Sequence, residues 1–535
     1  MSVPVTFARM PLVGRSTELT EITSALDAVD GGAGRTIILA GEGGVGKTRL
    51  VQAAQAMAEK RGWTVALGRA YPVESGMPYA LFSDALLPII RKLEPGTLQT
   101  LTRGGNAELV LLFPALAPPG DRPALRGDPS ELKPRLLWNL AQFLARFAAK
   151  KPLLLALENL QWADASSLEL LHFIARQVGK DRVLLLCTYN DAERDGNATL
   201  RSTEQSLVSL GAATVRRLRP LSLPGVDELV RRSFNVEHAV AREFTALLYG
   251  WTRGNPFFVE ETLKALVEGG RLYERDGTWL GWDLEALELP RTLRDAVVAR
   301  TERLSPAARS LADIAAVLGT LSTYDVLRAV SGMQDEALLG ALDELRRQRV
   351  LVEEGANGDG ETTLDFAHPL VREALYGELG KARARMLHGS VAEALERYRG
   401  ASALAHAGEL AFHFARADGA PLAGKALRYL SAAGGDALRL HANREAANYL
   451  SAALQQLDRL GQHADISPAE ARRLVEDLAR ARQRLGEYDA ARTQWERALQ
   501  EAAEANDDLG IAGIHRQLAR ARPRAVTISR SGRVI

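Results

Sequence analysis

The sequence lacks the features of several protein classes. It contains a single cysteine, Cys187, among 535 residues, so it has neither a disulfide framework nor a zinc site made of cysteines. Cys187 lies in the apolar run 183–189 (VLLLCTY), where we expect it to be a buried side chain on a strand. The first residues, 1–7 (MSVPVTF), have no charged start followed by an apolar stretch, which argues against a secretory signal.

Long apolar runs and an excess of charge of one sign are also missing. No stretch of about 18 apolar residues occurs, so we predict no membrane-spanning helix and expect a cytoplasmic protein. The 67 Lys and Arg residues are balanced by 66 Asp and Glu residues, which gives a formal net charge of +1. This balance provides no overall attraction to nucleic acid or to an anionic membrane.

What the sequence does contain is a succession of three patterns. In residues 10–220, short β-rich runs alternate with helical patterns, which indicates an α/β core with a parallel sheet. The predicted strands are 36–41, 64–69, 153–158, 183–189 and 214–219. The first four are mostly apolar without alternation, as expected of strands that are covered on both faces.

The second pattern, in residues 221–380, consists of short helices and two hairpin signals. The strand candidates of these hairpins are 271–275 with 278–282, and 349–353 with 362–366. Asp276-Gly277 is a typical tight turn for the first pair, and a glycine-rich loop at 355–360 joins the second pair. We interpret residues 221–290 as a helical lid and residues 291–380 as a winged-helix domain.

The third pattern, in residues 381–520, is entirely helical and contains an internal repeat. Residues 441–454 align with residues 486–499 at an offset of 45 residues. The aligned pairs have small, large and small side chains, and they are Ala446 with Ala491, Leu450 with Trp495, and Ala453 with Ala498. This spacing resembles the second helix of a tetratricopeptide repeat, with a longer loop at 458–468, whereas a plain helical bundle is the alternative. We expect the tail, 521–535, to be unstructured.

The strongest chemical signal is a phosphate-binding loop between a predicted strand and a predicted helix. Its residues are Gly41, Glu42, Gly43, Gly44, Val45, Gly46, Lys47 and Thr48. Glycines allow backbone N–H groups to point at phosphates, the lysine reaches the β and γ oxygens, and the threonine hydroxyl binds Mg²⁺. The start of the following helix adds a partial positive charge. The loop therefore predicts binding of ATP or ADP with Mg²⁺.

A second acidic strand ends at Glu158, which is where Mg²⁺ is usually oriented beside such a loop. The next residue is Asn159, at a position where ATP hydrolases of this architecture commonly carry a second acid. An amide orients water but does not accept its proton, and loss of a general base costs about 10²–10⁴ in rate. Asp164 is an alternative base, although its place before a predicted helix favours capping.

Several motifs together resemble a known family. They are residues 12–19 (LVGRSTEL), the loop 41–48, 75–82 (SGMPYALF), 158–164 (ENLQWAD), 188–189 (TY), 254–261 (GNPFFVEE) and 366–370 (FAHPL). In this order they look like the signal-transduction ATPases with numerous domains, which are AAA-related P-loop NTPases, and the resemblance covers about residues 10–520. The most similar members are the large ATP-binding LuxR-type transcription regulators and the ATPase modules fused to bacterial adenylate cyclases. In this family the nucleotide acts as a switch, and helical repeats sense a ligand or a protein.

The resemblance implies roles for further residues. Gly14 and Arg15 would lie near the adenine, Arg49 would follow the phosphate loop at the nucleotide, and Pro256 would contact the nucleotide from the lid. His368 is similar to a winged-helix histidine that senses bound diphosphate in related switches, although an ordinary packed histidine is the alternative.

Two positions depart from the family pattern. Asn159 replaces the second acid, and Asn190 replaces an arginine that would contact the γ-phosphate. Both changes weaken hydrolysis and leave the phosphate loop intact. Lys47, Glu158, Asn159 and Asn190 are therefore the candidate catalytic positions, the last two in degenerate form.

The sequence thus predicts an ATP-binding regulatory switch with slow or absent turnover, linked to transcription through the relatives it resembles. An unidentified protein or small-molecule inducer would bind the helical repeats, and ATP-dependent self-association is compatible with the resemblance. Two alternatives stay open. One is an active ATPase that remodels a partner by repeated hydrolysis. The other is a DNA-binding regulator that uses the winged helix, which the near-neutral charge disfavours.

Overall fold

The computed structural model describes residues 10–102, 109–110, 112–113, 129–275, 278–281, 301, 304–319, 322–356 and 362–520. The chain forms two compact units, one made mainly of residues up to 384 and the other mainly of residues from 385 onward. The units are described in turn.

The first unit begins with an α/β core around a five-stranded parallel sheet. Its strands are β1 (Arg35–Gly41), β2 (Thr64–Arg69), β3 (Leu153–Glu158), β4 (Val183–Asn190) and β5 (Thr214–Arg217). Their spatial order is β2-β3-β4-β1-β5, with every neighbouring pair parallel. The helices of the core are α1 (Ser16–Asp30), α2 (Lys47–Lys60), α3 (Ala80–Ile90), α4 (Pro95–Thr102), α5 (Pro129–Lys150), α6 (Ala165–Gln177), α7 (Asp191–Arg194) and α8 (Ala198–Ser209). The predicted parallel sheet is confirmed.

Burial follows the position of each strand in the sheet. Every residue of β3 is buried, and so is every residue of β4 except the last. Such strands are apolar along their whole length because helices cover both faces. β2 is only partly buried, unlike the prediction, because it lies at an edge of the sheet. At the other edge, β5 ends with charged residues, and its Arg216 forms an ion pair with Glu21 of α1.

Cys187 is buried in β4, as predicted. Burial raises the pKa of its thiol to about 12, so the group stays protonated and behaves as a small apolar side chain. A cluster of buried side chains joins the sheet to its helices, and Leu26 of α1 and Leu50 of α2 pack with Leu184 of β4. Full burial of a leucine contributes about 1.5–3 kcal/mol. This core fixes the phosphate loop, which lies between β1 and α2.

A helical segment with its own apolar cluster follows the α/β core. It contains α9 (Leu223–Phe234), α10 (His238–Thr252), α11 (Pro256–Glu268) and the antiparallel strands β6 (Tyr273–Arg275) and β7 (Thr278–Leu280). Val226, Phe244 and Leu263 are buried together with Trp279, whose ring meets Phe234 edge-on at 4.8 Å between ring centroids. The first predicted hairpin therefore pairs as expected, whereas its turn, 276–277, lies outside the described residues.

The second predicted hairpin also pairs. It joins β9 (Leu351–Ala356) to β10 (Thr362–Phe366), and β8 (Ser322–Thr323) adds a third antiparallel strand beside β10. The helices of this segment are α12 (Pro306–Leu318), α13 (Tyr324–Ser331), α14 (Asp335–Arg347) and α15 (Pro369–Glu378). The assignment of this segment as a winged helix stays a prediction. Residues 357–360 of the glycine-rich loop, and residue 361 after it, lie outside the described part of the chain.

The described part of the second unit consists of helices. They are α16 (Lys381–Arg399), which begins in the first unit, α17 (Ala407–Phe414), α18 (Ala420–Arg439), α19 (Asn443–Leu460), α20 (Pro468–Arg484), α21 (Tyr488–Glu504) and α22 (Asp508–Arg520). From α17 to α22 each helix packs against the next one along the chain. The predicted tail, 521–535, lies outside the described residues.

The internal repeat corresponds to two helices that begin 45 residues apart, α19 and α21. The six aligned side chains are all buried, and they are Ala446, Leu450, Ala453, Ala491, Trp495 and Ala498. A Cβ atom on Gly434 of α18 would come within 2.7 Å of Leu450, so a glycine permits the close approach of these helices. Small residues at the contact and a large one between them thus build a helical repeat, as predicted.

No helix in the described ranges is long and apolar enough to cross a membrane.

Candidate nucleotide-binding site

The carboxyl ends of three neighbouring strands meet at the phosphate loop. β4 lies between β1 and β3, and Gly41 at the end of β1 is the register partner of Asn190 at the end of β4. Glu158 ends β3 on the other side of β4. Ligands of open parallel sheets bind at this edge. The strand order therefore brings the phosphate loop, the acidic strand and the predicted γ-phosphate position together.

The phosphate loop depends on glycine at the positions where its backbone turns. Gly44 has φ 80°, a left-handed conformation that side chains other than glycine rarely adopt. A Cβ atom there would lie 2.7 Å from Asn255 Oδ1 and 2.8 Å from the Cβ of Phe257. The loop ends at the start of α2, whose unpaired N–H groups and partial positive charge favour an anion.

Lys47 closes the loop on itself. Its Nζ donates to the carbonyls of Gly41 and Glu42, at 2.8 Å in both cases. Burial lowers the pKa of Lys47 to about 8, and the nearby carboxylates, Asp191 first among them, offset only part of this effect. A phosphate beside this buried lysine would stabilise its charged form.

The carboxylate of Glu158 has the properties expected of a Mg²⁺-orienting group. It is 2% exposed, and its Oε2 accepts a hydrogen bond from Arg69 Nε at 3.0 Å. The buried Oε1 accepts no hydrogen bond from the residues that the structure describes. Mg²⁺ takes oxygen ligands and is usually held by one or two carboxylates, water and phosphate. The orphaned Oε1 and the Thr48 hydroxyl, which lines the cavity, fit such an ion.

Asn159 combines a place in the cavity wall with an unusual backbone. Its φ of 62° is left-handed, a conformation that asparagine tolerates better than most residues. Its N–H donates to Thr188 Oγ1 at 3.2 Å, which ties the end of β3 to β4. The asparagine thus satisfies a local conformational demand of the backbone after β3.

Asn190 begins the short helix α7 at the end of β4. Its Oδ1 accepts a hydrogen bond from the N–H of Ala192 at 3.3 Å, as an N-cap does. Its Nδ2 donates to Glu193 Oε1 at 2.6 Å, and its N–H donates to Gln161 Oε1 at 3.0 Å. Both the oxygen and the nitrogen of the side-chain amide are therefore hydrogen-bonded, and the amide supplies no positive charge.

The turn before α11 is tied to the phosphate loop. Asn255 Nδ2 donates to the carbonyl of Gly43 at 2.9 Å, and Asn255 Oδ1 caps α11 by accepting from the N–H of Phe257 at 3.1 Å. The same N–H lies 3.2 Å from the carbonyl of Gly44. Gly254 makes this turn possible, since a Cβ atom there would lie 1.9 Å from the carbonyl oxygen of Leu221.

His368 lies against this turn and caps α15. Its ring stacks on Phe257 with 3.9 Å between ring centroids, and its Nδ1 accepts a hydrogen bond from the N–H of Leu370 at 3.2 Å. Loss of water around the ring, together with the charges of Lys47 and Lys264, lowers the pKa of His368 to about 3. The ring is therefore neutral near pH 7, and its hydrogen is on Nε2 because Nδ1 accepts.

A cavity of about 990 Å³ connects these groups. The predicted site residues that line it are Gly43, Gly44, Gly46, Lys47, Thr48, Arg49, Asn159, Asn190, Pro256 and His368. A smaller cavity of about 40 Å³ lies beside the loop, and the predicted residues lining it are Arg15, Val45, Gly46, Arg49 and Pro256. Gly14, Gly41, Glu42 and Glu158 line neither of these two cavities.

The smaller cavity is where the resemblance would put the adenine. Arg15 holds backbone there, because its Nη2 donates to the carbonyls of Val45 and Arg219, at 2.8 Å in both cases. It thus joins the phosphate loop to the segment after β5. Arg49 likewise donates to the carbonyl of Met10. The two arginines shape the cavity from its polar side, while Val13 and Leu221 supply an apolar wall.

The large cavity has a basic wall that the sequence motifs did not indicate. Arg346 and Arg347 at the end of α14, Arg349 after it and Lys264 of α11 all line it. Such a surface favours an anionic ligand. The sequence motifs also gave no sign of the hydrogen bonds of Arg69, Trp162 and Glu193. No short pattern predicts them, because each joins segments that are distant along the chain.

Asp164, the alternative base, is buried and does not line the large cavity. It directly precedes α6, in the place expected of a capping residue.

Comparison with known proteins places the first part of the chain in a family. Residues 11–186 match the AAA ATPase domain, so this region is an AAA-type P-loop ATPase domain. The expectation of an AAA-related ATPase followed by helical repeats is confirmed by this match and by the helices of the second unit.

Two curated relatives are longer than this chain. An uncharacterized protein of Rhizobium meliloti (strain 1021) is 26% identical over 88% of this chain and 45% of its own length. The peroxide stress-activated histidine kinase mak3 of Schizosaccharomyces pombe is 23% identical over 62% of this chain and 14% of its own length. The chain thus spans less than half of either relative.

Two solved structures show a distant likeness. One is the signal transduction ATPase with numerous domains (STAND) protein with a tetratricopeptide repeat sensor from Pyrococcus horikoshii. It is 13% identical, with a TM-score of 0.43, over 98% of this chain and 70% of that one. The other is the Aeropyrum pernix Orc1 protein in complex with DNA, which is 16% identical, with a TM-score of 0.32, over 70% of this chain and 95% of that one.

Proposed function

Because an AAA ATPase domain is followed here by helical repeats, we propose that this chain is an ATP-binding regulatory switch with slow or absent hydrolysis. The phosphates of ATP lie on the loop 41–48 in this proposal, and the adenine lies toward the smaller cavity. Lys47 contacts the β and γ phosphates, while Thr48 and Glu158 orient Mg²⁺. A bound Mg²⁺ would supply positive charge against the phosphates.

The observation that carries this proposal is the contrast between an intact phosphate loop and two amides beside it. Lys47 and the loop supply most of the affinity for the ground state of ATP. Asn159 stands where a carboxylate would polarise the attacking water, and Asn190 stands where a cation would stabilise the transition state. Either loss would raise the activation barrier of hydrolysis by a few kcal/mol. For a general base, this corresponds to a rate lower by about 10²–10⁴-fold.

His368 provides a contact that depends on the nucleotide. Its Nδ1 is occupied by the N–H of Leu370, so Nε2–H is the donor left for a phosphate oxygen. The ring stacks on Phe257, which follows the Pro256 of the cavity wall. A diphosphate contact at His368 would therefore act on both α11 and α15, which is how a bound nucleotide would be sensed in this proposal.

The helical repeats are the proposed partner-binding part. Stacked helical repeats create extended surfaces that capture proteins or peptides. A relative that carries the name of a stress-activated histidine kinase favours a signalling role for the shared region. The link to transcription rests on the resemblance to LuxR-type regulators, and the DNA-binding alternative rests on the predicted winged helix.

The binding part of the proposal is tested by Lys47→Ala. Removal of the ammonium group should abolish ATP binding in calorimetry, with circular dichroism unchanged. Lys60→Ala is the matched control, since Lys60 is an exposed residue in the last turn of the same helix. It should leave the affinity unchanged. A folded Lys47→Ala variant that binds ATP as tightly as the native chain would refute the assignment.

A further inference from the structure

A carboxylate that no sequence motif singled out stands beside both degenerate positions. Glu193 belongs to α7 and lies three residues after Asn190. It lines the large cavity together with Lys47 and Asn159. It lies in the cavity wall and outside the acidic strand, so no motif of that strand includes it.

Glu193 accepts one hydrogen bond from Asn190 and one from the segment that follows Asn159. Asn190 Nδ2 donates to its Oε1 at 2.6 Å, and Trp162 Nε1 donates to its Oε2 at 2.7 Å. Trp162 ends the single helical turn that begins directly after Asn159. The carboxylate therefore bridges the ends of β3 and β4, which are the strands that flank the γ-phosphate position.

The two hydrogen bonds orient the group without exhausting it. A carboxylate has about four lone-pair positions, and each oxygen of Glu193 uses one of them here. Within the described ranges, Glu193 forms no ion pair with a lysine or arginine side chain. The remaining lone pairs are thus available to a water molecule in the cavity.

Trp162 is itself held by a neighbouring side chain, which helps to orient the carboxylate of Glu193. The guanidinium of Arg372 lies over its ring, with 5.8 Å from the guanidinium carbon to the ring centroid. Three of the other carboxylates that line the cavity pair with basic side chains instead. Glu260 and Glu261 pair with Lys264, and Glu353 pairs with Arg346.

We propose that Glu193 orients the attacking water and accepts its proton, in place of the acid that Asn159 replaces. This inference rests on the proposed nucleotide site and assigns the residual turnover of the switch to one residue. The water oxygen bonds to the γ-phosphorus as the bond from that phosphorus to the β–γ bridging oxygen breaks. ADP leaves with the electron pair, and the water proton passes to Glu193 and then to solvent.

The test compares single-turnover hydrolysis of ATP by the full chain and its variants, each with a parallel measurement of ATP affinity. Glu193→Gln should lower the rate constant about 10²-fold, the usual contribution of such a group, with affinity within about threefold of native. Glu193→Asp should recover part of the rate, which a purely structural role would not predict. Trp162→Phe, which removes one orienting donor, should lower the rate but not the affinity.

Glu228→Gln is the matched control, because Glu228 is an exposed acid of α9 that pairs with Arg232 away from the cavity. Its rate should equal the native rate. A native rate in Glu193→Gln would overturn the inference, and so would a greater loss in Glu373→Gln, another carboxylate that lines the cavity. ATP bound with no detectable turnover would overturn it too, while the proposed switch would stand. Failure of the native chain to bind ATP would overturn both.

Discussion

Lys47 is a cation whose charge is sensitive to pH in the physiological range. Burial lowers its pKa to about 8, and the loop carbonyls of Gly41 and Glu42 hold the ammonium group where the phosphates would lie. Bound ATP raises that pKa again, since the negative phosphates favour the charged form. Binding and protonation of Lys47 are therefore linked.

We expect the affinity for ATP to be nearly constant below about pH 7 and to fall as the pH rises through the pKa of Lys47. The sign follows from linkage, because ATP binds the protonated lysine and a free chain above pH 8 must first take up a proton. Well above that pH, each further unit should weaken binding by about tenfold. Calorimetry from pH 6.5 to pH 9.5 measures this dependence. Lys47→Arg, which keeps its charge, should bind more weakly but without this slope, whereas a flat native profile would contradict the linkage.

The sequence could predict those functional residues of the site that belong to motifs of consecutive residues. The loop 41–48 and Glu158 belong to local patterns, and the structure brings Lys47 and Thr48 to one cavity as those patterns require. The hydrogen bond between Glu193 and Trp162 joins residues 31 positions apart and has no local signature. The left-handed backbone of Asn159 is likewise a property of the folded chain.

At the scale of elements, one side chain, that of Asn255, joins the phosphate loop to the start of α11. Asn255 caps α11 with one side-chain atom and binds the loop with another. The helix start and the loop backbone are thus fixed by the same amide. A shift of the loop on binding phosphate would move the start of α11, and His368 follows because it stacks on Phe257.

Asn255→Ala should therefore have two separable effects. Loss of the cap should destabilise the folded unit by about 1 kcal/mol. Loss of the bond to Gly43 should weaken ATP binding several-fold, because the loop must then be ordered by the ligand. Thermal unfolding and calorimetry measure the two effects.

Ser222→Ala is the matched control for that variant. Ser222 caps α9 by accepting from the N–H of Gly225, at 3.3 Å. Its loss should lower the unfolding temperature by a similar amount and leave ATP affinity unchanged. Equal ATP affinity in Asn255→Ala and the native chain would show that the turn before α11 does not support the loop.

The strands illustrate what periodicity predicts and what it does not. β2 and β3 begin and end where the apolar runs do, at Thr64–Arg69 and Leu153–Glu158. β5 ends at Arg217, two residues earlier than predicted, because it lies at the edge of the sheet, where β1 is its one paired neighbour among the described strands. Position in the sheet is set by long-range pairing, so β2 reads as a buried strand in the sequence and is only partly covered in the structure.

At the scale of the whole molecule, the proposed function assigns one task to each unit. The candidate nucleotide site lies within the first unit, and the repeats of the second would bind a partner, as stacked helices do in other proteins. The chain spans 45% and 14% of the lengths of the two curated relatives.

The proposed switch holds ATP far better than it hydrolyses it. Single-turnover hydrolysis by the native chain and by Asn159→Asp/Asn190→Arg, with ATP affinity determined for both, tests this proposal. Asparagine and aspartate both tolerate the left-handed backbone at 159, and an arginine at 190 would keep an N–H donor at the place where Asn190 now donates to Glu193. Both proteins should therefore fold and bind ATP with similar affinity.

The double variant regains an acid near the water and a cation near the γ-phosphate, so we expect it to hydrolyse ATP at least about 10²-fold faster than the native chain. The native chain should bind ATP and turn it over far below about one per second, the low end of ordinary enzymes. Native hydrolysis at or above that rate, with no gain in the double variant, would contradict the claim and identify a working ATPase.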